Sequence, residues 1–388
     1  MSPLFSADFI LALRLVPFYI ALFLIVGFQL PFWPVWLSHM GLDAGEIGIV
    51  LSAPIWAKIL ITPVMTAIAD YFGRRRAPLV LMSALCLGLF QLYFFVDGFW
   101  QIFFLALTIG VFITSFTALG DNLVLTLART RNIDYARIRL WGSISFIAGA
   151  YAGGLVMTDR SPDFIPVLLA VAYLLLFLCC VMLPEISVAR RHEGAKGFRL
   201  LLENRPFMIF LIACGLIQGS HSVLYSAGTL HWQQQGLSDG MIGFLWAEGV
   251  VVEVLLFAFS KRLFASFSPV QLMLLGGVAG AIRWVIMGLT PGVPVLLGVQ
   301  MLHGVTFAAA HLGAMRMIGT AIPVELSARA QGLYTAVSLG LIMGGEMLLS
   351  GYLYSAFGGS AYFFMALSCL VAILICLRLR TLQIASID

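Results

Sequence analysis

Charge is what this chain has least of. Charged side chains make up 10% of its 388 residues, against roughly 25% in a typical soluble domain, so a water-facing surface over the whole molecule is excluded. Cysteine is present but unpatterned. Cys86, Cys179, Cys180, Cys214, Cys369 and Cys376 all stand in apolar stretches, with no CxxC and no Cys/His spacing, which argues against a disulfide framework and against a metal site. The chain also lacks HExxH, Gly-x-Ser-x-Gly and a paired-acid centre near an interface, so an enzymatic reading finds no chemistry to rest on. A soluble output domain of the kind a receptor appends is not evident either. The first apolar segment has no basic leader and no small-residue cleavage site, and is expected to stay in the protein.

What fills the chain is hydrocarbon. Hydrophobic residues make up 61% of it, in runs of about 20 residues or more, the length a helix needs to cross a core of roughly 30 Å. The short alternating segments of an outer-membrane barrel are absent. The pattern predicts an all-α integral membrane protein with twelve spans, near 13–37, 45–69, 77–96, 100–127, 137–157, 163–183, 206–231, 240–260, 269–289, 293–315, 327–354 and 360–378.

Basic residues sort by loop. Arg74, Arg75 and Arg76 follow span 2; Arg129, Arg131 and Arg137 follow span 4; Arg190, Arg191, Lys196, Arg199 and Arg205 lie between spans 6 and 7. Lys261 and Arg262, Arg316 and Arg329, then Arg378 and Arg380 continue the series, whereas the opposite loops hold only Arg160. By the positive-inside rule both termini are expected in the cytoplasm. The net charge of +4 therefore reflects topology, and no nucleic-acid partner is expected. The polar, basic segment 184–205 reads as a linker between six-helix bundles at 1–183 and 206–388.

Gly41-Leu42-Asp43-Ala44-Gly45-Glu46-Ile47-Gly48 returns 195 positions later as Gly236-Leu237-Ser238-Asp239-Gly240-Met241-Ile242-Gly243. The same offset pairs Lys58 with Glu253, so each half carries one ionisable group at matching depth in the span after the repeat. A duplicated helical membrane protein with opposite charges near its centre points to transport.

Particular motifs sharpen this. Asp70-Tyr71-Phe72-Gly73-Arg74-Arg75-Arg76 resembles the loop signature of the major facilitator superfamily, with Thr66 where that signature begins with Gly. Pro31-Phe32-Trp33-Pro34-Val35-Trp36-Leu37, Arg137-Ile138-Arg139-Leu140-Trp141-Gly142, Ile282-Arg283 and Leu302-His303 resemble lactose permease and its relatives. Trp141-Gly142-Ser143, the Gln218-Gly219-Ser220-His221 spacing, Glu253, Arg283-Trp284 and His311 with Arg316 resemble the 3-phenylpropionate permease branch. The resemblance covers nearly the whole chain. It implies the major facilitator fold of two pseudo-symmetric six-helix bundles, a cytoplasmic gate at Asp70, Gly73 and Arg74, and substrate contacts at Asp121 and Arg139.

The intramembrane polar residues supply the remaining candidates. Lys58 sits mid-span, where a lysine costs roughly 2.5–3.5 kcal/mol, so it needs a wet cavity or a partner; a fixed cation there favours an anionic substrate. Asp121 and Arg139 can meet at similar depth as a charge pair, binding substrate or bridging helices. Gln218, His221, Ser222, Tyr225 and Thr229 form a polar stripe on span 7 suited to lining a cavity. Trp246, one heptad before Glu253, could stack on an aromatic substrate or simply pack. Glu253, Arg283 and His303 fall near mid-membrane on spans 8, 9 and 10, where a shifting Glu–Arg contact would let one proton bind and leave and the imidazole could share it. Thr306 stands where lactose permease has the acid of its tenth helix, so that proton chemistry does not transfer directly. Glu346 and His311 rank behind these, and His311 with Arg316 reads equally as a packing pair.

Together these residues predict a proton-coupled importer of a small organic acid, aromatic in character, in a bacterial-type inner membrane. A sugar or nucleoside symporter and a drug:proton antiporter stand as alternatives. The proton is the coupling ion; no cofactor and no metal is expected, and a monomer in the bilayer is expected to suffice.

Overall fold

The computed structural model describes residues 7–129, 131, 133–186 and 196–381, without the side chains at 7, 62, 63, 66, 67, 69–72, 196–198, 324, 380 and 381. Its elements are helices, as they must be where no water is present to satisfy backbone N–H and C=O groups. Eleven stretches among the described residues are long and apolar enough to cross a membrane. One of them, Ser327–Leu379, runs for 53 residues, about 80 Å of helix, more than twice a hydrocarbon core. A short 3-10 turn at Gly358–Ser360, entered with Gly358 at φ 53°, divides it in two. Divided there, it supplies two segments of spanning length, so the described residues hold twelve.

Several spans are not uniform α-helix. Span 4 consists of Phe99–Ile113 and Phe116–Ala128, and span 7 of Arg205–Gly219 and Ser222–Gln234. Span 10 contains a π-helical turn at Val305–Ala309, and span 11 a longer one at Tyr334–Ile342. Breaks and π-turns release backbone groups from the regular ladder, and they cluster at functional sites.

By contact the chain divides into two compact units. One comprises the described residues of Met1–Leu42, Ala57–His192 and Trp232–Ala247, the other those of Asp43–Trp56, Glu193–His231 and Glu248–Asp388. The repeated octapeptide has a packing role in each. Its second copy ends at Gly243, where an added Cβ would lie 3.0 Å from the Cα of Gly154, inside the first unit. Its first copy ends at Gly48, where an added Cβ would lie 3.0 Å from the Cα of Gly351, inside the second. Only glycine fits such crossings, which explains the glycine that closes both copies.

The segment read as a plain linker carries a helix of its own, Lys196–Glu203. Its Leu201 is fully buried in the apolar cluster with Phe207, Phe210 and Leu379. The run Leu200-Leu201-Leu202 is the sequence signal for it, passed over when 184–205 is read by its basic residues alone.

Candidate functional site

The densest polar network inside the second unit centres on Arg283 of span 9, which is 1% exposed. Its Nη1 donates to His303 Nδ1 (3.1 Å) and to Thr306 Oγ1 (3.3 Å), and its Nη2 to Gln300 Oε1 (2.5 Å). The guanidinium also lies over the Trp284 ring, 4.4 Å from its centre, a favourable place for a desolvated cation. A guanidinium has donors only, so His303 Nδ1 accepts and the ring hydrogen sits on Nε2. That nitrogen is 3.5 Å from Glu253 Oε2. A second proton on the ring would set N–H against N–H at Arg283. Within this chain of groups, Glu253 is therefore the one that can take up a proton without breaking the bonds.

The same hub reaches span 7. Thr306 Oγ1 lies 3.0 Å from His221 Nε2, and His221 Nδ1 lies 3.1 Å from the carbonyl of Gln218. The carbonyl only accepts, so His221 carries its hydrogen on Nδ1 and takes the threonine hydroxyl at Nε2. Gln218 in turn donates to the carbonyl of Phe307 (3.3 Å), inside the π-turn of span 10. The turn thus presents Thr306 to one partner and a carbonyl to another.

His303 stands between Arg283 and Glu253, bonded to the first and 3.5 Å from the carboxylate of the second. The span 7 stripe was expected to line a cavity, yet Gln218 and His221 are 2% and 0% exposed and bond to span 10, while the Ser222 hydroxyl is buried without a hydrogen-bond partner. Tyr225 is half-buried and stacks on His221 with ring centres 5.7 Å apart. Thr306 and Gln300 were missed as partners of Arg283, although Gln300, His303 and Phe307 share one helical face.

The first unit treats its charges differently. Asp121 on span 4 accepts from the Tyr19 hydroxyl of span 1 at 2.7 Å. Arg139 lies with its guanidinium 4.0 Å from the centre of the Phe23 ring and 5.7 Å from that of Tyr19. The expected Asp121–Arg139 ion pair does not form among the described residues: Tyr19 bonds the carboxylate, the aromatic faces hold the cation, and Tyr135 contacts both groups. Lys58 is half-buried, with no ion pair or hydrogen bond among the described residues. Trp246 is 5% exposed, with its ring centre 6.3 Å from that of Trp232, so in this conformation it packs against protein.

These features can be compared with known proteins. Residues 12–366 match the model of the MFS_1 like family. The chain belongs to the major facilitator superfamily. It is 33% identical, over 91% of its own length and 94% of the other's, to a protein named "Probable 3-phenylpropionic acid transporter" from Escherichia coli (strain K12). It is 26% identical to the maltose permease of Geobacillus stearothermophilus, with 93% of each chain covered. The crystal structure of the nucleoside transporter NupG superposes with a TM-score of 0.83 at 17% identity, covering 96% of this chain and 100% of that one. The protein is thus a multi-pass membrane transporter of small molecules, and not an enzyme.

The transporter's loop between spans 2 and 3 carries the superfamily signature in partly unexpected form. Gly73 turns the chain at φ 62°, a conformation that favours glycine. Arg74 is exposed, whereas Arg75 is 2% exposed and donates through Nε to Asn122 Oδ1 at 2.8 Å. Glu185, beyond span 6, accepts from the backbone N–H groups of Arg75 (3.1 Å) and Arg76 (3.3 Å), neutralising the start of span 3. The buried arginine of the signature is therefore Arg75, one place after the residue chosen from the sequence. The side chain of Asp70 lies outside the described residues. His311 and Arg316 do not pair: His311 Nδ1 meets the Tyr334 hydroxyl at 3.3 Å, and Arg316 donates to the carbonyls of Phe264 (2.6 Å) and Phe267 (2.8 Å).

Proposed function

We propose that the transporter imports a small organic acid, an aromatic carboxylate of the phenylpropionate type, together with protons, by alternating access of its two six-helix bundles. The observation that carries the substrate is the 33% identity over nearly the full length to the probable 3-phenylpropionic acid transporter. Lys58 supports it: an intramembrane cation with no ion pair among the described residues is costly unless an anion visits it. Arg139, held by aromatic faces and not by an acid, is a second cation that a carboxylate can engage, and Phe23 and Tyr19 beside it are stacking surfaces for a phenyl ring.

The proton element is Glu253 with His303 and Arg283. While Glu253 is ionised, the ring N–H of His303 points at it and balances the acid against the arginine across a neutral imidazole. Protonation removes that balance, so the chain has two electrostatic states, as a coupling element needs. Gly73 and the buried Arg75, with Asp70 and Arg74, belong to the cytoplasmic gate. The protein works as a monomer in the inner membrane with both termini in the cytoplasm.

A sugar or nucleoside symporter is the second reading, favoured by the 26% identity to maltose permease. One experiment separates the two: external pH is recorded for proteoliposomes in weak buffer as phenylpropionate, maltose or a nucleoside is added. Alkalinisation with phenylpropionate that disappears in Glu253→Gln supports organic-acid symport. A response only to the sugar or the nucleoside would sink it.

A further inference from the structure

Glu346, on span 11 in the second unit, takes no part in the Arg283 network. It is 8% exposed. Ser368 on span 12 donates to its Oε1, and its Oε2 is buried without a hydrogen-bond partner. That oxygen rests against Gly219, at the break of span 7, where an added Cβ would come within 2.9 Å of it. The neighbouring titratable group on span 12 is Cys369, which also interacts with Ser220 of span 7. No Lys, Arg or His pairs with the carboxyl among the described residues. Beside it opens a pocket of about 520 Å³, lined by Leu216, Leu341, Leu349 and Phe364 together with Glu346 and Ser368.

A permanent carboxylate in such surroundings would be poorly compensated. Taking an ion out of water costs several kcal/mol in practice, and a single hydroxyl does not repay it. The neutral acid fits far better, and the partner suits both forms: a serine hydroxyl donates to a carboxylate and accepts from a carboxylic acid, so the inter-helix bond survives either state. We propose that Glu346 is a second proton-binding site of the transporter, separate from Glu253 and linked to the same transport cycle; the linkage rests on the proton-coupled reading above.

The test begins with infrared difference spectra recorded across pH steps on reconstituted wild type, Glu346→Gln, Glu253→Gln and Ser368→Ala. The expected result is a protonated-carboxyl C=O band that persists in Glu253→Gln, disappears in Glu346→Gln and moves in frequency and titration midpoint in Ser368→Ala, which keeps the acid and removes its bond. Superimposable wild-type and Glu346→Gln spectra would overturn the site. If Glu346→Gln does not reconstitute, an unshifted band in Ser368→Ala overturns it instead. Transport gives the second readout: Glu346→Gln keeps gradient-free exchange of labelled phenylpropionate but loses at least tenfold of the accumulation driven by a pH gradient. Wild-type accumulation in that variant overturns the linkage. Absence of phenylpropionate exchange in wild type counts against the proposed substrate alone, and the infrared band still decides the proton site.

Discussion

The two units hold an intramembrane arginine in opposite ways. Arg139 lies across the faces of Phe23 and Tyr19, half-buried, while the nearby acid is engaged by a tyrosine hydroxyl. Arg283 is buried and bonded to His303, Thr306 and Gln300. Aromatic faces stabilise a cation by roughly 0.5–2 kcal/mol without consuming its hydrogen-bond donors, so Arg139, with Tyr135 beside it, keeps donors that a ligand can use. A network that uses the donors turns the residue into a fixed hub, and the neighbour that can change protonation becomes the functional part. On the proposed function, identical side chains would serve recognition in one unit and coupling in the other.

The largest effect should come from dismantling the hub. Arg283→Met leaves His303, Thr306 and Gln300 without their donor and should destabilise the protein by about 3–5 kcal/mol, read as a fall in thermal unfolding temperature in detergent. Arg283→Lys should not rescue it, since one ammonium cannot reproduce the planar fork. Should Arg139→Met prove equally damaging, the contrast between the units collapses.

Glu253→Gln comes next. It should fold with near-normal stability, because the amide still accepts from His303, yet abolish substrate-dependent alkalinisation in proteoliposomes. Retained proton movement would remove Glu253 from the coupling role.

Lys58→Ala sharpens the recognition side. The apparent affinity for carboxylates should weaken by about tenfold, roughly 1.4 kcal/mol, with little change in melting temperature, since no ion pair or hydrogen bond holds Lys58 among the described residues. A gain in thermal stability without loss of transport would instead mark the lysine as an uncompensated cost.

Tyr19→Phe should cost less, about 1 kcal/mol for a single hydrogen bond to Asp121, and should shift the substrate KM more than the maximal rate. At the bottom of the scale, Arg199→Ala removes an exposed pair with Glu203 at 2.7 Å and should change stability by at most about 0.5 kcal/mol. Both values follow from denaturation midpoints measured under identical detergent conditions.

Much of the fold was legible because a membrane leaves few choices. Apolar runs of spanning length, charges sorted by loop and a duplicated octapeptide led to twelve helices and to this superfamily. Arg283 and His303 were legible for the same reason: a charge in hydrocarbon needs a partner, and spans 9 and 10 each supplied one at similar depth. Thr306, Gln300, Tyr19 and Asn122 were not, since ordinary polar and aromatic residues carry no such penalty and abound in spans without being partners.

By itself, then, the sequence determined the solvent, the number of crossings and which ionisable groups lie within them, because hydrophobicity, length and charge are properties of single residues and their order. Only the tertiary structure decided who bonds to whom. The break in span 7 and the π-turn in span 10 bring His221 to Thr306; in the first unit, packing buries Arg75 against Asn122 and gives Asp121 to Tyr19. A helix's rotation about its own axis is fixed by packing against its neighbours, and hydropathy along one strand of sequence does not encode it.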